Sequence, residues 1–296
     1  MTKRTLIVDG DIYAFQGSAG AEESTNWGTD DDDGCIWRVT ADENHAKKYI
    51  DDSFEELMDN LDGQELVVCL TDTINWRHSV LPSYKGNRTA SRRPIILPQM
   101  REYMREKYDA WQRPALEGDD LLGILSGLHE RFKGDKIMVT LDKDMSTLEG
   151  YHYRPHRDIL GVFEVTLAEA DRFHLTQGIA GDSTDGYKGC PTWGMDTARR
   201  FLEEPFKFVP ETFSTTRGKF AGIERTRWVK RECDDLWECI LSLYAKEGLT
   251  EADAIPQFQV ARILRTTDYN FKTKEPILWT PELINPNNVR RAHINT

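Results

Sequence analysis

TLIVDGD, residues 5–11, is an apolar run that ends in two aspartates. ELVVCLTD (65–72) and KIMVTLDKD (136–144) follow the same pattern. Short β-branched runs of this kind are typical of parallel strands that are buried on both faces of a sheet. Amphipathic helical patterns at 43–63 and 119–132 alternate with these strands. The order strand, helix, strand, helix, strand predicts an α/β fold with a mainly parallel central sheet and flanking helices.

The sequence pattern changes after about residue 165. Residues 166–181 (TLAEADRFHLTQGIAG) are typical of a helix that enters a turn, and 189–205 (GCPTWGMDTARRFLEEP) of a hairpin that leads into a second helix. We therefore expect two parts, an α/β core in 1–165 and a mostly helical part in 166–296.

Composition limits the class of protein and its compartment. The 296 residues carry a net charge of −12, which argues against a protein that coats nucleic acid or an anionic membrane through its overall charge. The five cysteines form no CxxC pair, so we expect a reducing compartment and no disulfide framework. No apolar run approaches the length of a membrane span or of a signal-peptide core, and the chain is predicted to be cytoplasmic. The run Asp30–Asp33 is interpreted as a solvated loop.

Acidic residues recur at the predicted strand ends and helix starts. Since the carboxyl ends of parallel strands meet at one edge of a sheet, the acids that follow the three strands should converge there. So many carboxylates repel one another unless hard divalent cations neutralise them, and two such cations about 4 Å apart are the usual arrangement for phosphodiester hydrolysis. Each cluster taken alone would also suit a helix cap or a turn. The candidate metal ligands are Asp9, Asp72, Glu117, Asp119, Asp120, Asp142, Asp144, Asp182 and Asp185.

A basic segment lies among these acids. Residues 81–93 (LPSYKGNRTASRR) contain four basic side chains and no acid. Such a patch on an acidic chain indicates an anionic substrate, and Tyr84 would suit stacking on a base. Arg92 and Arg93 fit an exposed basic loop equally well. A second basic stretch, 217–231, would suit either a duplex backbone or a solvated strand face.

Seven motifs run through nearly the whole chain. They are VDGD (8–11), SYKGNR (83–88), LEGDD (116–120), LDKD (141–144), GDSTDGYKG (181–189), WVKR (228–231) and ARILR (261–265). Together they resemble the flap-endonuclease-like 5′-nuclease superfamily with its PIN/flap-endonuclease-like fold, and within it the 5′→3′ exonucleases of short-tailed coliphages (the gene-six type). The resemblance implies a helical arch near 81–113 and a multi-carboxylate centre for two Mg²⁺ or Mn²⁺ ions. It also implies a helix-hairpin-helix element that binds duplex backbone within 166–296.

The resemblance implies roles for individual residues. Lys85 and Arg88 resemble a lysine and an arginine that contact the scissile phosphate, and Tyr84 resembles an aromatic side chain that meets the terminal nucleotide. Asp11 matches no ligand of the family and is expected to be structural. The implied ligands of the first ion are Asp9, Asp72, Glu117, Asp119 and Asp120. The implied ligands of the second ion are Asp142, Asp144, Asp182 and Asp185.

The predicted hairpin departs from the family pattern. That pattern is Gly-x-Gly followed by a lysine or an arginine, whereas this chain has Thr192 in the first position and Asp196 where the basic residue is common. The departure weakens the implied binding of phosphates, or of a monovalent cation, by the backbone amides of the hairpin. Basic side chains would supply part of the contact with DNA, and the predicted set is Arg92, Arg93, Lys188, Arg199 and Arg200.

The activity that the resemblance implies is divalent-metal-dependent hydrolysis near the 5′ end of duplex DNA, and of RNA in RNA–DNA hybrids, with release of 5′-mononucleotides. Its setting would be phage DNA replication, recombination and breakdown of host DNA in the infected cell. A flap endonuclease is the alternative within the superfamily. A haloacid-dehalogenase-type phosphatase also begins with an apolar run and DxD and uses Mg²⁺. In such a phosphatase, however, LEGDD and SYKGNR would have no role. A non-catalytic DNA-binding protein would gain nothing from carboxylates that repel DNA.

Overall fold

The computed structural model describes residues 3–26, 37–87, 92–155, 161–214 and 223–285. The chain divides into two units, and each of them is discontinuous in sequence. The first unit is drawn from Met1–Trp76, Arg88–Val165 and Ile263–Ile277. The second unit is drawn from Arg77–Asn87, Thr166–Arg262 and Leu278–Thr296.

The described residues form strands and helices with the following bounds. The strands are β1 (Arg4–Asp9), β2 (Glu22–Asn26), β3 (Trp37–Ala41), β4 (Glu65–Cys69), β5 (Asp135–Val139), β6 (Gly150–Tyr153), β7 (Phe163–Val165), β8 (Lys207–Ser214), β9 (Glu224–Arg231), β10 (Tyr269–Asn270) and β11 (Glu275–Pro276). The helices are α1 (Gly10–Gly20), α2 (Glu43–Asn60), α3 (Arg77–Val80), α4 (Leu97–Tyr108), α5 (Gly118–Ser126), α6 (Leu167–Ala180), α7 (Met195–Glu203), α8 (Leu236–Lys246) and α9 (Glu251–Ala261).

The first unit is built on a five-stranded sheet with the order β4-β1-β5-β6-β7. β1 pairs in parallel with β4 and β5, β6 pairs in parallel with β5, and β7 runs antiparallel to β6 at the edge. The predicted mainly parallel sheet is confirmed, and the three predicted strands lie side by side in it. The sequence does not predict β6 and β7, because strands of four and three residues leave too short a pattern to recognise.

Burial of β1 on both faces fixes the centre of this unit. Leu6, Ile7 and Val8 have no exposed surface, as expected for a parallel strand that is covered by helices on each side. Leu6 and Val8 share a core cluster with Phe54 of α2 and Met100 of α4. α5 packs against β1, β4 and β5. The carboxyl ends of the three strands are therefore held in place by the core beneath them.

Gly10 allows α1 to start directly at the end of β1. A Cβ atom on Gly10 would lie 2.6 Å from Val68 Cγ1 and 3.0 Å from the carbonyl oxygen of Cys69, both on β4. A side chain at this position would collide with the neighbouring strand. The glycine of VDGD is thus required by close packing, and the aspartates on each side of it are fixed by the junction between strand and helix.

α4 and α5 differ from the sequence expectation in length or role. α5 ends at Ser126 although its pattern extends to residue 132, and Gly127 is its C-cap residue, where a side chain would collide with Thr266. α4 lies within the predicted arch segment 81–113, and Met100 and Met104 bury it against the core of the first unit. The arch itself stays a prediction.

The second unit is mostly helical. α6 packs against α7 and α9. The core contains Phe201, Tyr244, Phe258 and Trp279, with the rings of Phe258 and Trp279 stacked at 5.3 Å. β8 and β9 pair with each other in an antiparallel arrangement. Within the described parts of the chain, no helix is both long enough and apolar enough to span a membrane.

Candidate active site

The carboxyl ends of β1 and β5 each carry an aspartate that caps the next helix. Asp9 Oδ1 accepts a hydrogen bond from the backbone N of Asp11 at 3.1 Å, and this turn starts α1. Asp142 Oδ1 accepts one from the backbone N of Asp144 at 2.8 Å, and this turn starts the 3₁₀ helix Lys143–Thr147. Because β1 and β5 are parallel neighbours, DGD and DKD lie at the same edge of the sheet.

Negative charge accumulates around Asp9. Burial, together with the nearby carboxylates of Asp11 and Asp142, raises the pKa of Asp9 to about 7. Burial and the carboxylates of Asp9, Asp119 and Asp11 also raise the pKa of the Cys69 thiol well above its ordinary value. The thiol therefore stays protonated and is unsuited to be a nucleophile. At neutral pH, Asp9 therefore stays ionised only beside a cation, and without one it tends to bind a proton.

The LEGDD motif forms the start of α5. Glu117 is the N-cap residue and is buried, and its backbone N donates to Asp120 Oδ2 at 3.2 Å. The backbone N of Gly118 donates to Thr71 Oγ1 at 2.9 Å, which ties this helix start to the residues that follow β4. Asp119 is half-buried and lies close enough to the edge to raise the pKa of the Cys69 thiol. The motif thus brings Glu117 and Asp119 to the edge that Asp9 occupies.

Asp120 has no exposed surface and is surrounded by donors from the protein. Its Oδ2 accepts hydrogen bonds from Trp76 Nε1 at 3.0 Å and from the backbone N of Glu117. Its Oδ1 accepts one from the backbone N of Leu264 at 3.1 Å. Direct coordination by Asp120 stays a prediction. Its contacts fit a residue that positions LEGDD.

Asp72 is held as an ionised carboxylate. Its Oδ1 accepts a hydrogen bond from Gln112 Nε2 at 2.9 Å, and its Oδ2 accepts one from the backbone N of Ala115 at 2.8 Å. Burial opposes ionisation, but these hydrogen bonds outweigh it and hold the pKa of Asp72 below its ordinary value. Asp72 therefore carries a negative charge at neutral pH, as a ligand of a cation must.

Asp11 makes contacts of a structural kind. Its Oδ2 accepts a hydrogen bond from the backbone N of Thr71 at 2.8 Å, and its Oδ1 lies 3.0 Å from Arg101 Nε. Arg101 of α4 also donates to the carbonyl oxygen of Thr71. The carboxylate therefore links the start of α1, the residues after β4 and the middle of α4.

The carboxylates of the first unit fit a hard divalent cation in their chemistry. No group of three His, Cys, Asp or Glu side chains in the described ranges is arranged to hold a metal ion as it stands. The donors are nevertheless all carboxylate oxygens, which Mg²⁺ and Mn²⁺ prefer. Burial and the nearby carboxylates raise the pKa of Asp9, and a bound cation would offset both effects. The predicted ligands in this unit are Asp9, Asp72, Glu117, Asp119, Asp120, Asp142 and Asp144.

The remaining predicted ligands, Asp182 and Asp185, belong to the second unit. Asp182 Oδ1 accepts hydrogen bonds from the backbone N of Thr184 at 2.6 Å and of Asp185 at 3.3 Å. Asp182 and Tyr187 also form an antiparallel bridge. GDSTDGY is therefore a tight turn that presents Asp185 near its tip.

The SYKGN segment lies against this turn. The backbone N of Lys85 donates to the carbonyl oxygen of Asp185 at 2.6 Å, and Asn87 Nδ2 donates to that of Ser183 at 2.7 Å. A Cβ atom on Gly186, whose φ is +76°, would lie 2.8 Å from the carbonyl oxygen of Ser83. The glycine of STDGY is needed for this close approach between the two segments.

Two side chains of SYKGN meet the carboxylate of Asp185. Tyr84 Oη donates to Asp185 Oδ2 at 3.0 Å, and Lys85 Nζ lies 3.8 Å from the same oxygen. The ammonium also lies 5.1 Å from the centroid of the Tyr84 ring. The structure thus brings together the predicted phosphate-contacting lysine, the predicted aromatic residue and a predicted ligand.

The ring of Tyr84 is buried, with 2% of its surface exposed. It packs with Tyr187 and Val260, and the guanidinium carbon of Arg77 lies 5.6 Å from its centroid. Arg77 is itself buried and donates to the carbonyl oxygens of Val260 at 2.9 Å and Arg262 at 2.7 Å. Stacking on a base requires an exposed ring face. In this conformation Tyr84 is therefore not presented to a nucleotide, contrary to the expectation from the resemblance.

The basic residues predicted to bind DNA are exposed. Arg92 donates two hydrogen bonds to the carboxylate of Glu22, and Arg199 lies 3.8 Å from Asp196 Oδ1. Arg88 lies outside the described residues, as does the run Asp30–Asp33. The exposed side chains are Arg92, Arg93, Lys188, Arg199 and Arg200.

The connection between α6 and α7 contains a residue in the left-handed region that favours glycine. Thr192, which stands where the family pattern has glycine, adopts a left-handed conformation with φ of +70°. The backbone amides of Lys188 and Gly189 both donate to Gln257 Oε1 at 3.0 Å, so the protein itself occupies these two donors. A monovalent cation at the hairpin stays a prediction.

Several residues that fix the site were not found from the sequence. Three of them hydrogen-bond to a predicted site residue or to its neighbour across separations of 30 to 44 residues, and the guanidinium carbon of the fourth lies 5.6 Å from the centroid of the Tyr84 ring. No short motif signals a contact over such a distance. These residues are Trp76, Arg77, Arg101 and Gln112.

Comparison with known proteins identifies the family. No family model matches the chain. The chain is 37% identical over 294 residues to the exodeoxyribonuclease of Enterobacteria phage T3, and equally to the exonuclease of Escherichia phage T7, covering 94% of this chain and 93% and 94% of those proteins. The fold also matches the bacteriophage T5 flap endonuclease, solved as a pseudo-enzyme–product complex with DNA and metal ions. That match has a TM-score of 0.53 at 14% identity and covers 88% of this chain and 89% of the T5 chain. This chain therefore belongs to the family of the T3 and T7 phage exonucleases.

Proposed function

We propose that this chain is a divalent-metal-dependent 5′→3′ exonuclease that hydrolyses phosphodiester bonds near the 5′ end of duplex DNA and releases 5′-mononucleotides. RNA in RNA–DNA hybrids is a second proposed substrate. The observation that carries the proposal is the convergence of carboxylates around Asp9 at the carboxyl ends of β1, β4 and β5. Membership of the phage exonuclease family supports it, and this membership leaves the phosphatase alternative without support.

The proposed cofactor is a pair of Mg²⁺ or Mn²⁺ ions. Bound ions of this kind supply Lewis-acid charge and lower the pKa of water. Asp120 would position the LEGDD motif through Trp76 and Leu264. The residues proposed to hold the first ion are Asp9, Asp72, Glu117 and Asp119. Those proposed to hold the second are Asp142, Asp144, Asp182 and Asp185.

Lys85 is proposed to offset the negative charge that develops on the scissile phosphate, together with Arg88. A side chain in this role must be held in a defined place. The hydrogen bond from its backbone N to Asp185, and the proximity of its ammonium to the carboxylate of Asp185, support this for Lys85. Unpairing the terminal nucleotide from the duplex costs a few kcal/mol, which contacts of the protein with DNA would offset.

The proposed setting is phage DNA replication, recombination and breakdown of host DNA in the cytoplasm of the infected cell. The T3 and T7 relatives are exonucleases, and the T5 structure contains DNA and metal ions. The same T5 protein is a flap endonuclease, which keeps cleavage of 5′ flaps as the second candidate activity.

Incubation of the full chain with 5′-labelled duplex DNA and Mg²⁺ tests the proposal. We expect release of labelled mononucleotides, loss of all cleavage in EDTA, and loss of cleavage but not of DNA binding in Asp142→Asn. Asp59→Asn, an exposed change on α2, is the matched control and should cleave normally. Short labelled oligomers from a flapped substrate would favour the flap endonuclease. Normal cleavage by Asp142→Asn, or by the native chain in EDTA, would overturn the metal-site assignment.

A further inference from the structure

β8 and β9 form a two-stranded ribbon, and within the described segments no third strand joins it. The base of the ribbon is anchored on α8, where the backbone N of Phe208 donates to Ser242 Oγ at 2.8 Å and Lys207 pairs with Glu238. Beyond this base, in 210–214 and 223–227, every residue except Glu211 is exposed. An isolated two-stranded ribbon gains little stability from its own pairing. The exposed part of the ribbon is therefore a candidate binding surface for a partner molecule.

One face of the ribbon is strongly basic. Cross-strand partners in an antiparallel pair lie on the same face. The register pairs Lys207 with Arg231, Glu211 with Arg227, and Phe213 with Arg225. This face therefore carries four basic side chains and one acid, in a chain whose net charge is −12. Such a local excess of positive charge fits a polyanionic partner.

A single carboxylate holds two of the arginines side by side. Arg227 donates to Glu211 Oε2 from Nε at 2.9 Å and from Nη2 at 2.6 Å, and Arg231 Nη2 donates to Oε1 at 3.2 Å. The group keeps an excess positive charge, because two guanidinium ions share one acid. The guanidinium of Arg227 also lies over the Phe213 ring, at 5.3 Å from its centroid. The carboxylate and the ring thus hold the arginines in place in advance, and a guanidinium has five N–H donors, more than the contacts to Glu211 use, with which to bind phosphate.

We propose that the basic face of the β8–β9 ribbon binds the sugar-phosphate backbone of duplex DNA, as a contact surface additional to the carboxylate centre. The inference rests on the proposed function, since that function makes duplex DNA the partner. A two-stranded ribbon is narrow enough to enter the major groove, and arginine is the side chain best suited to phosphates. Pairing of the ribbon edge with a second copy of the chain is disfavoured at β8, where Pro210 has no N–H to donate.

The test measures binding of a blunt 20-base-pair duplex by fluorescence anisotropy in EDTA, over a range of salt concentrations, so that cleavage plays no part. In the triple variant Arg225→Ala/Arg227→Ala/Arg231→Ala, we expect affinity to fall about tenfold, and the slope of log K against log salt to shrink by about two to three. In Glu211→Gln we expect the opposite, an affinity about twofold higher with a steeper slope, because a charge that repels phosphate is removed.

Arg131→Ala is the matched control. Arg131 is an exposed arginine that pairs with Glu65 at the amino end of β4, and its removal should leave both affinity and slope unchanged. Native affinity and slope in the triple variant would overturn the inference, as would unchanged binding in Glu211→Gln should the triple variant fail to fold. A change in oligomeric state without a change in DNA binding would assign the ribbon to contacts between copies instead. The proposed function would fail by a different result, in which the native chain does not cleave DNA in Mg²⁺.

Discussion

Tyr84 Oη donates a hydrogen bond to Asp185 Oδ2 at 3.0 Å, and the ammonium of the next residue, Lys85, lies 3.8 Å from the same oxygen. The ring of Tyr84 is buried beside the guanidinium of Arg77. Arg77 in turn is bound to the carbonyl oxygens of Val260 and Arg262. Tyr84 therefore connects a fixed part of the second unit to the carboxylate that accompanies Lys85.

Tyr84→Phe tests whether the hydroxyl positions this pair. The change keeps the buried ring and removes one hydrogen bond to a charged acceptor, which is worth about 1.5–3 kcal/mol. We expect kcat to fall about tenfold, with less than a twofold change in the affinity for DNA measured in EDTA. Steady-state cleavage of labelled duplex and anisotropy binding measure the two quantities.

Tyr103→Phe is the control for this substitution. The hydroxyl of Tyr103 on α4 also donates a hydrogen bond to a carboxylate, that of the half-buried Asp51 of α2. This pair lies between two helices of the first unit, apart from the predicted site residues. We expect it to lower stability slightly and to leave kcat unchanged. If Tyr84 acts by stacking on a base, Tyr84→Phe will keep full kcat, and the positioning role is then wrong.

The sheet could be predicted from the sequence because its signals are local. TLIVDGD, ELVVCLTD and KIMVTLDKD each contain a strand, either whole or without its first residue, and the residues that follow it. Three adjacent strands and the acids at their ends therefore follow from short patterns. The parallel order then brings Asp9 and Asp142 to one edge. Shorter strands with polar residues, such as β6, carry no comparable signal.

The roles of individual site residues were harder to predict, because they depend on contacts between distant parts of the chain. Asp120 resembles its neighbour Asp119 in sequence, yet donors from Trp76 and Leu264 surround it. Tyr84 resembles an exposed aromatic residue until Val260 and Arg77 cover it. Residue type shows which side chains are able to bind a cation or a base, but only tertiary contacts show which of them are already engaged.

Asp9 should make the stability of the metal-free protein depend on pH. Its pKa is raised from an ordinary value of about 3.9 in an unfolded chain to about 7 in the folded protein. The folded state therefore binds the proton more tightly. The stability that this proton contributes is fully present below about pH 4 and is lost as the pH rises through about 7.

Asp9→Asn should therefore stabilise the metal-free protein at pH 8, by about 2 kcal/mol after allowance for solvent screening. The gain should be smaller at pH 5, where Asp9 is largely protonated. Asparagine caps a helix as well as aspartate does, so the turn at the start of α1 should survive. Urea unfolding in EDTA at the two pH values measures the effect.

Asp42→Asn is the matched control, because Asp42 caps α2 in the same way at an exposed position. We expect a change of less than about 0.5 kcal/mol at either pH. A gain in Asp9→Asn that is equal at pH 5 and pH 8, or a loss at pH 8, would contradict the raised pKa of Asp9 in the folded protein.

Asp120→Asn should destabilise the fold more than it weakens metal binding. An amide keeps one acceptor oxygen, but its NH₂ group would face either Leu264 N or Trp76 Nε1, donor against donor. Leaving buried donors unsatisfied costs about 1–3 kcal/mol. We expect a loss of this size in urea unfolding, with Mg²⁺ affinity measured by calorimetry reduced less than in Asp142→Asn. Equal losses of Mg²⁺ affinity in the two variants, with native stability, would make Asp120 a direct ligand.

Thr192→Gly should stabilise the connection between α6 and α7. A β-branched residue in the left-handed region costs about 1–2 kcal/mol, and Thr192 has a φ of +70° at an exposed position with little packing to lose. The greater freedom of glycine in the unfolded chain takes back about 0.5–1 kcal/mol, so we expect a net gain of about 0.5 kcal/mol in urea unfolding. Thr40→Gly, at an exposed and extended position of β3, should instead destabilise by about 1 kcal/mol. If both changes destabilise equally, the left-handed turn at Thr192 is not the conformation of the protein in solution.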